Sequence, residues 1–252
     1  MSFTTAFHKE LLEQRRTRRF MIAIVVLVLF GMTSPLLAKM TPQIITMIPG
    51  GEAFSMLIPT PTINDAVAQY IKNITQFGVL LALVFGMGAV AVEKDKGTAA
   101  MTLSKPMTRW SFLLAKFAAM SVTFIIAVLV AAIACYYYTF FLFGELAIGA
   151  WLVLNGLVTL YLLLYAAITL FYSTLTRTQY VAIGLSFGTL ILLGILGSLP
   201  GIGANFPDAL ISNASLIMMG ETPKNWSGLW VSLGLIFLSL AGAWLVFRKQ
   251  EL

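Results

Sequence analysis

The stretch EKDKGTAAMTLSKPMTRWSFLLAK, residues 93–116, stands between two long apolar runs. It carries Glu93, Lys94, Asp95, Lys96, Lys105, Arg109 and Lys116 in a chain of which only 10% is charged. Gly97-Thr98 and Ser104-Lys105-Pro106 are the signals that stop one helix and start another. The flanking runs are long enough to cross a hydrocarbon core, so the stretch between them belongs in water or against another protein. It is the expected place at which this chain receives or transmits a signal.

The composition around it is that of a membrane. The 252 residues are 59% hydrophobic, with a mean hydropathy of +0.91, whereas soluble chains carry roughly 25% charged residues. Six apolar segments follow one another at about 20–38, 74–92, 111–141, 150–171, 180–199 and 227–247. Most have the length that crosses a bilayer of roughly 30 Å at 1.5 Å per residue. The expected fold is all-α: a polytopic membrane protein with six transmembrane helices. The first run follows an Arg cluster but is too long for a signal-peptide core, and Ala38-Lys39-Met40 is a poor cleavage site.

Lysine and arginine set the orientation. With the N-terminus inside, thirteen of them (Lys9, Arg15, Arg16, Arg18, Arg19, Lys94, Lys96, Lys105, Arg109, Lys116, Arg177, Arg248, Lys249) fall on the inner side. Only Lys39, Lys72 and Lys224 fall outside. This is the positive-inside pattern of a multi-pass cell-membrane protein with both termini in the cytoplasm. The net charge of +6 is thereby a topology signal, and no nucleic-acid partner is expected. Tyr136 to Tyr138, Trp226 and Trp230 mark the outer interface, and Trp110 and Trp244 the inner one. The outer loops span 39–73 and 200–226, both broken by prolines, with apolar stretches at Ile44-Ile45 and 54–58 that suggest short packed helices.

Residues 1–19 precede the six-helix domain of 20–252. Phe3, Phe7 and Leu11 form an apolar stripe, and Arg15, Arg16, Arg18 and Arg19 lie on or beyond the other face. The pattern predicts an amphipathic elbow helix in the inner interface, with basic side chains toward anionic lipid headgroups. His8 has no second His with which to hold a metal, and no metal site is expected. The lone Cys135, inside an apolar run, reads as a small buried hydrophobe.

Within the opening stretch, Gly97 permits a bend, Thr98 can cap a short helix over 98–103, and Ser104 is the expected N-cap of the third span with Pro106 in its first turn. Arg109 and Lys116 are expected to snorkel to the inner interface. Glu93 to Thr98, Leu103 to Arg109 and Leu114-Ala115-Lys116 together resemble the E-x-x-x-G-T … L-L-S-x-P-V-x-R … G-K signature of ABC-2-type transporter permeases. Chain length, six spans and the elbow agree with that family over nearly the whole sequence. Ala99-Ala100 and Ala115 depart from its usual Leu and Gly.

The resemblance implies a permease subunit. Its segment 93–109 would carry a coupling helix docked on a separate cytosolic ATPase, which holds the ATP and Mg. The matching positions are Glu93, Gly97, Thr98, Ser104, Pro106 and Arg109; Lys94, Asp95 and Lys96 are assigned to the polar rim of the same interface, Met101 and Leu103 are expected to supply apolar contact, and Arg177 in the second inner loop a smaller one. It further implies a second permease copy, identical or paralogous, and export or force applied to an extracytoplasmic partner.

The chain has no G-x-x-x-x-G-K-[ST] phosphate loop and no His, Ser/His/Asp or metalloprotease constellation in its spans, so it is not read as an enzyme. Gln76 and Asn155 are the costliest polar residues within the spans and are assigned to helix packing or a pathway. Gly184-x-x-x-Gly188, continued by Gly194 and Gly197, offers a surface for close helix packing. The alternative is an ATP-independent secondary transporter or scaffold, but that class predicts inverted repeats or intramembrane charges.

Overall fold

The computed structural model describes residues 3–47, 60–98 and 108–250. The described residues form helices joined by short connections, without a strand. In chain order these are α1 (Phe3–Arg16), α2 (Arg19–Thr46), α3 (Ile63–Met87), α4 (Ala91–Asp95), α5 (Arg109–Phe143), α6 (Ile148–Leu175) and α7 (Gln179–Ser198). A 3₁₀ turn (Gly203–Asn205) then leads to α8 (Asp208–Met218) and α9 (Ser227–Lys249). Six of them, with α3 continued through α4, are long and apolar enough to cross a membrane. We call the end of the bundle that holds α1 and α4 the basic end.

The expected spans are all present, but two bounds move. The first helix does not stop near residue 38. It continues to Thr46 through Pro35 and Pro42, although its last buried residue is Ala38 and residues 39–46 are exposed or half-buried. The second begins at Ile63 rather than near 74. Thr62 and Asp65 form a capping box, with the Thr62 amide donating to Asp65 Oδ2 at 2.7 Å. Asn64, Asp65, Gln69, Lys72 and Asn73 make these first turns polar, which hides them from a hydropathy reading. The loop expected over 39–73 therefore shrinks. Ile44-Ile45 belongs to α2, and 54–58 lies outside the described residues. In the other loop α8 is one of the short helices anticipated, and it packs on α6.

α6 is the organising helix. It contacts α3, α5, α7, α8 and α9, and Leu154, Leu162, Leu164 and Tyr165 on it are fully buried. α2, α3 and α5 form a second packed group beside it. The outermost spans are α7 and α9, which turn Tyr180, Phe187, Leu192, Trp230, Phe237 and Leu238 outward. Apolar side chains exposed on long helices are the surface a bilayer covers. Cys135 is buried, as expected.

Candidate functional site

The segment singled out from the sequence begins where α3 passes into α4. Ser173 of α6 fastens that junction: its hydroxyl donates to Met87 O at 2.9 Å and accepts the amides of Val90 and Ala91 at 3.0 Å each. These are backbone groups that a helix break would otherwise leave unsatisfied. α4 ends at Asp95, and Gly97 follows with φ +67°, a left-handed conformation that carries no penalty for glycine. Asp95, Lys96, Gly97 and Thr98 are exposed, and the Thr98 hydroxyl turns back to Glu93 O at 3.2 Å. Met101, Leu103, Ser104 and Pro106 lie outside the described residues. On the far side Thr108, not Ser104, caps the third span: it stands in extended conformation before Arg109 and accepts the Ser111 amide.

The first and last residues of the quoted stretch meet. Lys116 Nζ lies 2.7 Å from Glu93 Oε1 and 3.0 Å from Glu10 Oε2. Lys9 stands 3.7 Å from Glu93 and 3.5 Å from Glu10. Lys116 is only 3% exposed and rests 4.9 Å over the Phe112 ring. It is thus a buried cation between two carboxylates and does not snorkel, contrary to expectation. One helical face explains this: Lys116 and Thr123, seven apart on α5, confront Glu10 and Gln14, four apart on α1. The Thr123 hydroxyl donates to Gln14 Oε1. Carboxylates of Glu10, Glu13 and Glu93 lie within 4.8 Å of one another, and the Lys116 ammonium is the cation among them. Burying these charges is costly, and only their mutual pairing offsets it.

The other cations of the stretch cap helix ends. Lys94 Nζ donates to Thr174 O at 2.6 Å and lies 3.4 Å from Gln250 Oε1; Gln250 Nε2 also donates to Thr174 O, at 2.9 Å. Arg109, expected to snorkel, instead donates to Phe247 O and, at 2.7 Å, to Gln250 O, its guanidinium over the Phe247 ring. Each charge thereby meets unpaired carbonyls at the negative end of a helix dipole, that of α6 for Lys94 and that of α9 for Arg109. The stretch is consequently tied to α1, α5, α6 and α9 through Glu93, Lys94 and Arg109. Arg177 is exposed in the connection between α6 and α7 and joins none of these contacts.

The elbow helix is present, with a different buried face. Ala6, Glu10 and Gln14 turn inward, while Phe3 is exposed and Phe7 and Leu11 are half-buried. The face of α1 turned to the protein is thus mostly polar, and the apolar stripe lies beside it. Arg15, Arg16 and Arg18 are exposed and Arg19 is half-buried; Arg18 forms the corner between α1 and α2 at φ 60°. Sequence reading passed over Glu10, Gln14, Thr174 and Gln250. The available signal was the Glu10/Gln14 spacing on a helix beside a basic stretch, which does not name its partner.

Within the spans Asn155 is buried, accepting the Tyr70 hydroxyl at 2.6 Å and donating to Trp151 O at 2.8 Å. Gln76 is exposed and lines a cavity of about 500 Å³ between α3, α6 and α7. The glycine stripe divides. A Cβ at Gly184 or Gly188 would meet nothing within 4 Å, whereas at Gly197 it would stand 2.6 Å from Asp208 Oδ2. Gly184 and Gly188 do not pack inside this subunit.

Comparison with known proteins agrees with this architecture. A transmembrane protein of Bacillus subtilis (strain 168), YxlG, itself uncharacterised, is 24% identical over 250 residues, which cover 96% of each chain. The family model described as ABC-2 family transporter protein matches residues 4–252. With six membrane-spanning helices and that match along almost its entire length, this multi-pass membrane protein belongs to the ABC-2 transporter family.

Proposed function

We propose that the chain is the permease subunit of an ABC transporter in the cell membrane, and that residues 93–109 take the stroke of a separate cytosolic ATPase. The observation that carries this reading is the attachment of both flanks of the stretch. Glu93 and Lys94 on one side and Arg109 on the other hold α1, α5, α6 and α9. A displacement of the stretch would reach four helices at once, through bonds rather than through a flexible tether. Asp95, Lys96, Gly97 and Thr98 are exposed, and in this reading Met101 and Leu103 supply apolar contact to the ATPase.

The basic end then faces the cytoplasm, where ATP and Mg are held by the ATPase and not by this chain. The open Gly184 and Gly188 on α7 favour a second permease copy across that face, and the direction of work is export or force on an outer partner. The test is purification of the full-length chain from its own membrane and a search of the eluate for a phosphate-loop ATPase, followed by ATPase measurement on the reconstituted pair. Retention of the ATPase, lost on Gly97→Val or Pro106→Ala, is the expected result. A chain that purifies alone, with both variants fully functional, would refute the reading.

A further inference from the structure

The four ion-pair contacts among the described residues all involve Lys116, Lys9, Glu10 and Glu93 at the basic end. At the opposite end two charges of opposite sign line one cavity without pairing. Lys72 of α3 has no ion-pair or hydrogen-bond partner for its ammonium among the described residues. Among the described residues the carboxylate of Asp208, at the start of α8, accepts only the Tyr161 hydroxyl, at 2.8 Å. Both border the cavity of about 500 Å³ between α3, α6 and α7. The position is built rather than incidental, because Gly197 supplies the space into which the Asp208 carboxylate fits.

The lining is graded along the helices. On α3, Lys72, Thr75 and Gln76 come first, and Leu80 and Leu83 lie deeper toward the bundle centre. On α7, Gly194 beside Asp208 gives way to Leu190 and Phe187 in the same direction. From Lys72 to Leu83 the cavity runs roughly 16 Å along α3 at 1.5 Å per residue. A second cavity, of about 510 Å³ between α5 and α6, has no charged residue in its lining. Polarity at the membrane-surface end and hydrocarbon below is the profile of an amphiphile aligned with a leaflet. Unpaired charges of both signs at the polar end call for a head that carries both, since an ionisable group this close to hydrocarbon is stabilised by a partner.

We propose that this cavity binds a zwitterionic amphiphile of the phospholipid kind, with its phosphate at Lys72, its ammonium at Asp208, and its tail along Leu80, Leu83, Leu190 and Phe187. The assignment stands on the cavity and requires no ATPase, so its failure and that of the permease reading are separable.

Full-length protein in an uncharged maltoside micelle is titrated with lysophosphatidylethanolamine, lysophosphatidylglycerol and monoacylglycerol, and bound molecules are counted by native mass spectrometry. One zwitterion per chain is expected, held about tenfold more tightly than the other two. Lys72→Gln and Asp208→Asn should each weaken it about fivefold, while Lys224→Gln, a lysine outside the cavity, leaves it unchanged. Asp208→Asn keeps an acceptor for Tyr161 and so preserves the fold. Lipid extracted from freshly purified protein identifies the source: co-purified phosphatidylethanolamine means a resident membrane lipid, and a vacant, titratable site means an arriving cargo. Equal binding of the anionic lipid, or variants that bind like the wild type, would overturn the assignment.

Discussion

At the basic end Lys116 sits between the carboxylates of Glu10 and Glu93, nearly sealed from solvent. At the opposite end Lys72 and Asp208 share one cavity and do not touch. Both arrangements place ionisable groups in a helix bundle that is otherwise apolar. In the first, Lys9, Lys116, Glu10 and Glu93 each have an opposite charge within 4 Å inside the chain, so the cluster fastens α1, α3–α4 and α5 to one another. In the second, compensation is left to something outside the chain. Charges paired within the chain make structure, and charges left unpaired along a cavity make a site.

The largest effect that would break this contrast is expected at Lys116. Lys116→Met leaves Glu10 and Glu93 with only the part-exposed Lys9 opposite them, at 3.5 and 3.7 Å, and should cost ~3 kcal/mol. Thermal melting of the detergent-solubilised protein, followed by size-exclusion of the surviving fraction, measures it. Combining Lys116→Met with Glu10→Leu and Glu93→Leu removes all three charges and should restore most of that loss. If the triad also conveys motion, the triple variant stays folded yet loses ATPase-coupled activity. A triple variant with normal activity would reduce the triad to mortar.

Gly97→Ala comes next. There is room for the methyl group, so only the left-handed backbone resists it, at ~1–2 kcal/mol. Because α4 ends there, the variant should disturb ATPase binding more than melting temperature. The smallest effect is expected from Tyr161→Phe, which takes a hydrogen bond from the Asp208 carboxylate, about 1 kcal/mol. Melting should shift slightly, while zwitterion binding changes in step with the freed carboxylate.

Legibility in the sequence followed the range of the interaction. The six spans were readable because crossing hydrocarbon demands some 20 apolar residues in a row, a property of contiguous sequence. The polar first turns of α3 escaped that reading, since a capping box and buried Ala66, Val67, Tyr70 and Ile71 start the helix before its apolar run, and α2 runs on past its prolines with an exposed end. The stretch over residues 93–116 was visible as a charge anomaly, and Glu93 and Lys116 as its ends. The partners of Lys116, Lys94 and Arg109, namely Glu10, Thr174, Phe247 and Gln250, come from three other parts of the chain. Side-chain spacing shows which residues share a face but not which face they meet. The lysine expected to snorkel is instead buried, because Glu10 and Glu93 offer it a better environment than the interface does.

The sequence by itself determined that the chain crosses a membrane six times, that its charge collects at one end, and that residues 93–109 are the exception needing explanation. Those are consequences of transfer free energy, which each segment carries alone. Only the tertiary structure decided which charges are neutralised within the chain and which are left open. Compensation depends on separations of a few ångströms between residues as far apart as Glu10 and Lys116 or Tyr161 and Asp208.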